Sequence, residues 1–225
     1  LWQAQLVANL ACRILGDATL SATRTARLRS VAPYLDLLDV GGARSLSVTT
    51  GASRARACYL AGATATTSLS AHHTYHVPLR ARQTDLARSW SSSGRDSRFY
   101  WVQHAPKESM LRFEGGREAA AELAEALSAG PFASDPTSIE VSFEQFTEAE
   151  AGLAAQFEKA HLPPPMLYVG DSVDELLIRE LAAESNLLAG VCIDPGEGAD
   201  LLSLSSELVA IEEEGRWAPR MSALG

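Results

Sequence analysis

Apolar positions along this chain fall at two spacings, and the spacing changes at regular intervals. Residues 3–15 place Leu6, Val7, Leu10, Ala11 and Ile14 at helical intervals. Residues 18–32 continue as a second helix, with Arg24, Arg27 and Arg29 on its polar side. A short apolar strand is expected over 36–41, closed by Gly41. The small residues of 42–53 read as a loop, and 54–63 as a helix. Residues 74–79 form a strand candidate, and 98–104 a stronger one because aromatic and β-branched residues dominate it. Residues 117–130 are a helix of strong formers with Gly130 past its end.

The second half repeats one theme. Strands are expected at 138–143, 166–170 and 188–194, with helices at 147–161 and 173–185 between them. Strands alternating with helices through short connections give βαβ units and a parallel sheet. Such a sheet, closed into a barrel, carries its ligand groups at the strand C-terminal ends. The tail differs: two short strands flank Glu214-Gly215 and predict a hairpin. No repeat or long linker interrupts residues 1–225, so a single α/β barrel-like domain is expected.

Composition agrees. The chain has 225 residues, 46% hydrophobic and 21% charged, enough for one sizeable core. No apolar run approaches the roughly 18 residues of a membrane helix. The opening lacks the basic start of a signal peptide, and Leu1 in place of Met fits a piece of a longer chain. Cys12, Cys58 and Cys192 are far apart, odd in number and set among apolar neighbours. They read as buried thiols in a reducing compartment, so a cytoplasmic location is expected.

Net charge is −9, which argues against a general nucleic-acid binder. Its distribution says more. Residues 1–100 carry +7 and residues 101–225 carry −16. Only Lys107 and Lys159 are lysines, so nearly every positive charge is a guanidinium. Arginine suits planar recognition of carboxylate or phosphate. The basic half reads either as a site for an anionic small molecule or as a surface docking on the acidic half of this or another chain.

Several stretches resemble the nicotinate phosphoribosyltransferase family. ATLSATRTARL, LDLLDVGGARS and RARACYLAGATATTSLSAHHTYHVPL match, in order, that family's "LIATKAARL" helix, its "GLRRA" or "GARRS" turn and its "RAAYLGGADATSNVLAGKRFGIPV" segment. Further on, MLYVGDSVDELLIRELAAE resembles "FASGDLDEYRIAELLAA", and LLSLSSELVAIEEEGRWAPRMS resembles "ALGGVYKLVEIDGRPRMKLS". The resemblance implies an irregular parallel α/β barrel of the type II phosphoribosyltransferase kind, incomplete here, with a C-terminal β-hairpin. The family's preceding N-terminal domain has no counterpart in this sequence. It also implies condensation of nicotinate with phosphoribosyl pyrophosphate, with Mg²⁺ and ATP hydrolysis, in a dimer.

By that resemblance, Arg44 is the surviving arginine of the turn, and Arg80, Arg82 and Arg88 are further candidates for an anion. Asp85 stands where the family has its phosphorylated histidine, and Ala81-Arg82 replace the Gly-Thr before it. An aspartate can accept a phosphoryl group. Gly170-Asp171 retain a trace of an "SGD" turn, and Gly190 opens what remains of a "GVGT" phosphate loop. The "RLDSGDL" motif aligns with residues 140–146, where Phe143 replaces a small residue and Glu144 a glycine. A ring and an extra negative charge there oppose phosphate by sterics and Coulomb repulsion.

The expectation is a barrel whose usual catalytic motifs are lost, serving as a structural or regulatory subunit beside a related barrel chain. The alternative is an active enzyme with altered residues, Arg44, Arg80, Arg82 and Arg88 binding the substrate and Asp85 or Glu140 acting as base or Mg²⁺ ligand. A third reading makes the chain part of an active enzyme whose other portions carry the site.

Overall fold

A computed structural model describes residues 2–41, 47–83, 109–128, 134–170, 174–194, 210–213 and 216–219. The elements are α1 (Trp2–Val31), β1 (Asp36–Asp39), α2 (Val48–Leu60), β2 (Ala65–Thr66), α3 (Leu69–Tyr75) and β3 (Met110–Phe113). They continue with α4 (Arg117–Ser128), β4 (Ser138–Ser142), α5 (Phe146–Lys159), β5 (Met166–Gly170), α6 (Glu175–Glu184), β6 (Leu188–Ile193), β7 (Ala210–Glu213) and β8 (Arg216–Pro219).

Six strands form one parallel sheet in the order β2-β1-β6-β5-β4-β3. Among the described residues, an extended segment joins its two edges. Thr66 of β2 donates to the Pro78 carbonyl at 2.9 Å and accepts from Arg80 N at 3.0 Å. Met110 of β3 donates to the Ala81 carbonyl at 2.8 Å and accepts from Gln83 N at 2.9 Å. Residues 78–83 therefore act as a seventh stave, with parallel bridges at Leu79 and Arg82. The fold is the α/β barrel expected from sequence, and the tail is the expected antiparallel hairpin, β7 with β8.

Strand alternation separates two cores. Leu37, Leu111, Phe113, Ile139, Val141, Leu167, Val169, Val191 and Ile193 face outward onto the helices, meeting Leu28, Leu123, Leu127, Leu153, Phe157 and Ile178. Leu38, Val40, Met110, Tyr168 and Cys192 face inward and fill the barrel.

Four local expectations are corrected. The two N-terminal helices are one, because Gly16 costs a helix only about 1 kcal/mol and supplies no break. The supposed loop at 42–53 is helical from Val48. Ser47 and Thr50 cap each other's backbone there, and the small residues Thr50, Gly51, Ala52 and Ala55 are that helix's buried face. Residues 74–79 are not a strand: Leu69–Tyr75 is helix, stopped by His76 at φ 55, and the extended residues begin later. β3 went unforeseen, while the strand expected at 98–104 lies outside the described residues.

Arg29 pins the end of α1. Its Nε and Nη2 donate to the Gly62 carbonyl at 3.1 and 2.7 Å, and Nη1 donates to Pro33 and Leu35 carbonyls at 2.7 and 2.9 Å. One side chain thus joins the exit of α1, the entry to β1 and the turn after α2.

Gly190 fixes the inner layer. A Cβ there would stand 2.5 Å from Tyr168 Cε1 and closer still to the Asp36 carbonyl oxygen, which is backbone and cannot swing away. We expect Gly190→Ala to lower the unfolding free energy by about 3 kcal/mol, read from urea denaturation. An unchanged midpoint would show that the strand accommodates the methyl.

Candidate functional site

Two of the arginines proposed from sequence, Arg80 and Arg82, sit two apart on the closing segment, and both point into the barrel. Each already faces a carboxylate. Arg82 Nε and Nη2 donate to Glu140 Oε2 and Oε1, both at 2.5 Å, in a fork-to-fork pair. The Glu140 side chain is 6% exposed and that of Arg82 19%. Burial alone would lower the Arg82 pKa, but the hydrogen bonds and charge of Glu140 outweigh it and raise it. Arg80 Nη1 donates to the Tyr168 hydroxyl at 2.5 Å, and its guanidinium lies 5.3 Å from that ring's centre. The Tyr168 hydroxyl in turn donates to Asp36 Oδ2 at 2.9 Å, and Arg80 reaches the same oxygen at 3.8 Å.

The predicted glycines serve these side chains. Gly170 ends β5, and a Cβ there would stand 2.9 Å from Glu140 Oε1. Gly190 lies inside β6, under the Tyr168 ring. The structure brings Arg80, Arg82, Gly170 and Gly190 to one interior. Arg44, Asp85, Arg88 and Asp171 lie outside the described residues.

The steric argument made for Phe143 is corrected. Its ring packs partly buried against the core between sheet and helices, and Glu144 is exposed. Glu140 and Tyr168 project into the barrel beside Leu38, Val40, Met110 and Cys192. Sequence reasoning missed Tyr168 and Asp36; the available signal was a tyrosine at an inward strand position, level in register with Gly190.

A second buried pair lies on the helix side of β1. Asp39 is fully buried; its Oδ1 accepts from Arg54 Nη2 at 3.1 Å and its Oδ2 from the Thr66 hydroxyl at 2.6 Å. Arg54 lies flat against Gly41, which has no side chain to obstruct it, and its Nε finds no partner among the described residues. Burial pushes the Asp39 carboxyl up, opposed by Arg54 and Thr66. Asp17 of α1 is half-buried nearby. Burial raises its pKa too, with Arg54 lowering it and Asp39 adding to the rise. Cys58 below them is pushed up to about 12, first by burial and then by the Asp39 charge, which makes it an inert thiol at neutral pH. None of the three cysteines is in a disulfide.

His72, His73 and His76 are exposed, and the His72 ring nitrogen Nδ1 lies 2.9 Å from the Val77 carbonyl. Among the described residues no three His, Cys, Asp or Glu side chains converge as metal ligands. No described helix is long and apolar enough to cross a membrane.

No family model and no curated protein matches this sequence. Solved structures do match its fold. Nicotinate-nucleotide pyrophosphorylase from Pyrococcus furiosus superposes with a TM-score of 0.63 at 14% identity, over 79% of this chain and 46% of that one. Human nicotinic acid phosphoribosyltransferase superposes with a TM-score of 0.55 at 16% identity, over 79% of this chain and 47% of that one. The chain thus spans about half the length of these structures. The likeness shows that this chain shares the fold of these structures over the superposed part.

Three outcomes are expected. Asp39→Asn orphans the buried Arg54 charge and should cost about 3 to 5 kcal/mol of stability, measured by denaturant titration. Asp17→Asn should stabilise at pH 7. The raised Asp17 pKa favours the protonated carboxyl in the folded state, so the wild type loses stability as pH rises above the ordinary Asp value. The variant's advantage should vanish below pH 3.8; an advantage that persists there would contradict this. Tyr168 is held up to about 12, chiefly by burial, with Asp36 adding and Arg80 opposing. Absorbance at 295 nm should show one late-ionising tyrosine that Tyr168→Phe removes. Stability should fall as pH climbs from about 10, where unfolded tyrosines ionise.

Proposed function

We propose that this chain is a phosphoribosyltransferase-type barrel that does not turn over, and that it serves as a structural or regulatory subunit joined to a related barrel chain. The supporting observation is charge neutralisation inside the barrel. Phosphoribosyl transfer needs cations free to meet several phosphate charges and an acceptor carboxylate. Arg80 faces Asp36 through Tyr168, and both oxygens of Glu140 lie on Arg82. A phosphate entering here would have to displace carboxylates that the fold itself holds in place.

The sequence supports the same reading. Asp85 replaces the histidine of the resembled family, and Cys192-Ile193 replace the small residues of its phosphate loop. A Mg²⁺ ion, which active members of that family use, needs oxygen ligands with free lone pairs. Glu140 commits both oxygens to Arg82, and among the described residues no three His, Cys, Asp or Glu side chains group as metal ligands, so these residues do not fit the ion.

A second reading keeps the chain an active enzyme of nicotinate salvage, or one acting on a related anionic substrate. It is favoured by one observation: Arg80 and Arg82 both project inward from the closing segment. Calorimetry separates the two. Phosphoribosyl pyrophosphate, nicotinate and nicotinate mononucleotide, each with and without Mg²⁺, should give no heat with the purified chain. Light scattering after mixing with a related barrel protein should show one larger species. Turnover of phosphoribosyl pyrophosphate would sink the non-catalytic reading.

A further inference from the structure

We propose that the seam between α1 and α2 holds a binding site for one internal water, formed by Ser21 Oγ, Arg54 Nε and the Asp17 carboxylate. The site lies on the helix side of β1, so whether the barrel turns over does not bear on it.

Register brings these groups together where α1 and α2 pack on each other. Asp17, Ser21 and Thr25 follow at steps of four along α1 and share one face. Arg54 and Cys58 do the same on α2. The Arg54 charge acts on Asp17, and the Cys58 thiol is within hydrogen-bonding reach of the Thr25 hydroxyl. Ser21 stands between Asp17 and Thr25, so it meets the seam between Arg54 and Cys58.

Two polar atoms are left over there. Ser21 is fully buried and Arg54 is 2% exposed, yet Ser21 Oγ and Arg54 Nε have no hydrogen-bond partner among the described residues. The one other buried side-chain atom in that state among them, Ser109 Oγ, precedes β3. The rest of Arg54 is fixed. Its Nη2 donates to Asp39 at 3.1 Å and its guanidinium lies on Gly41, so Nε cannot swing away to another acceptor.

Chemistry selects the occupant. Asp39 already meets the Arg54 charge and Asp17 is a second carboxylate nearby, so a further anion is repelled. The guanidinium repels a cation. An apolar group would leave both atoms unpaired, which is costly in a buried seam. Water accepts from Nε–H, donates to the Asp17 carboxylate and bonds the Ser21 hydroxyl; about three partners is usual for an internal water. Asp17 is half-buried, so the site opens to solvent on that side. Arg54 then serves Asp39 directly and Asp17 through water, which ties α1 to β1.

Nuclear magnetic resonance of the whole chain tests the site. Magnetisation should pass from water to the Arg54 Nε proton with opposite signs in the laboratory and rotating frames, the signature of a bound water as opposed to proton exchange. Ser21→Ala removes a hydroxyl whose own exchange could relay the signal. The transfer should survive in S21A, because Arg54 and Asp17 still hold the water. Ser21→Val fills the seam with methyl groups and should abolish it. Absence of transfer in the wild type, its loss in S21A, or its persistence in folded S21V overturns the proposal. Should S21V fail to fold, the wild type and S21A decide the question between them.

Discussion

A parallel sheet becomes a barrel only when its two edges find each other. Among the described residues, six make that join. The backbone of 78–83 bonds β2 on one side and β3 on the other, at Thr66 and at Met110. The segment is too short to be held by its own hydrophobic burial, and Leu79 is exposed. Its side chains hold it from within. Arg80 reaches across to β5 and β1 through Tyr168 and Asp36, and Arg82 reaches β4 through Glu140. The groups that read as ligand-binding arginines therefore also close the wall, and their carboxylate partners come from β1 and β4, the strands next beyond the segment's own neighbours.

Internal pairing extends to other arginines of the basic half. Most described arginines of the first hundred residues meet internal partners. Arg24 donates to the Asp194 carbonyl, Arg27 pairs with Glu175, Arg29 binds three carbonyls, and Arg54 meets Asp39. Arg56 lies over the Tyr75 ring. Arg24 and Arg27 reach partners in the acidic half, whereas Arg29, Arg54 and Arg56 meet theirs within the first hundred residues. The exposed Arg27–Glu175 pair contributes little to stability; the buried pairs matter chiefly because breaking one leaves a charge stranded.

Legibility from sequence followed periodicity. β4, α5, β5, α6 and β6 lie within a residue or two of expectation, because buried parallel strands and amphipathic helices write their period directly. The first half was harder. β2 is two residues long, and the closing stave has no ladder of its own, so neither leaves a pattern to read. Ser47-Val48-Thr49-Thr50 resembles a loop in composition, yet its hydroxyls are what start α2. At the site, Arg80, Arg82, Gly170 and Gly190 could be named from a resemblance, but what they do could not. Nothing in a linear string says that Gly190 makes room for Tyr168, or that Glu140 lies over Gly170. Those are pairings across strands, fixed by register. Asp39 and Arg54 were missed for the same reason, although an acid within an apolar strand and an arginine within a run of small residues were visible signs.

The order of strands in the sheet also bears on how the chain is made. β1 is flanked by β2 and by β6, with Asp36 level with Gly190 and Asp39 with Ile193. β1 precedes β6 in the chain, so it waits for its second neighbour until β3, β4, β5 and β6 have been translated. The closing stave likewise precedes β4, and Arg82 leaves the ribosome before the carboxylate that will neutralise it. Contacts this distant in sequence make for slow assembly.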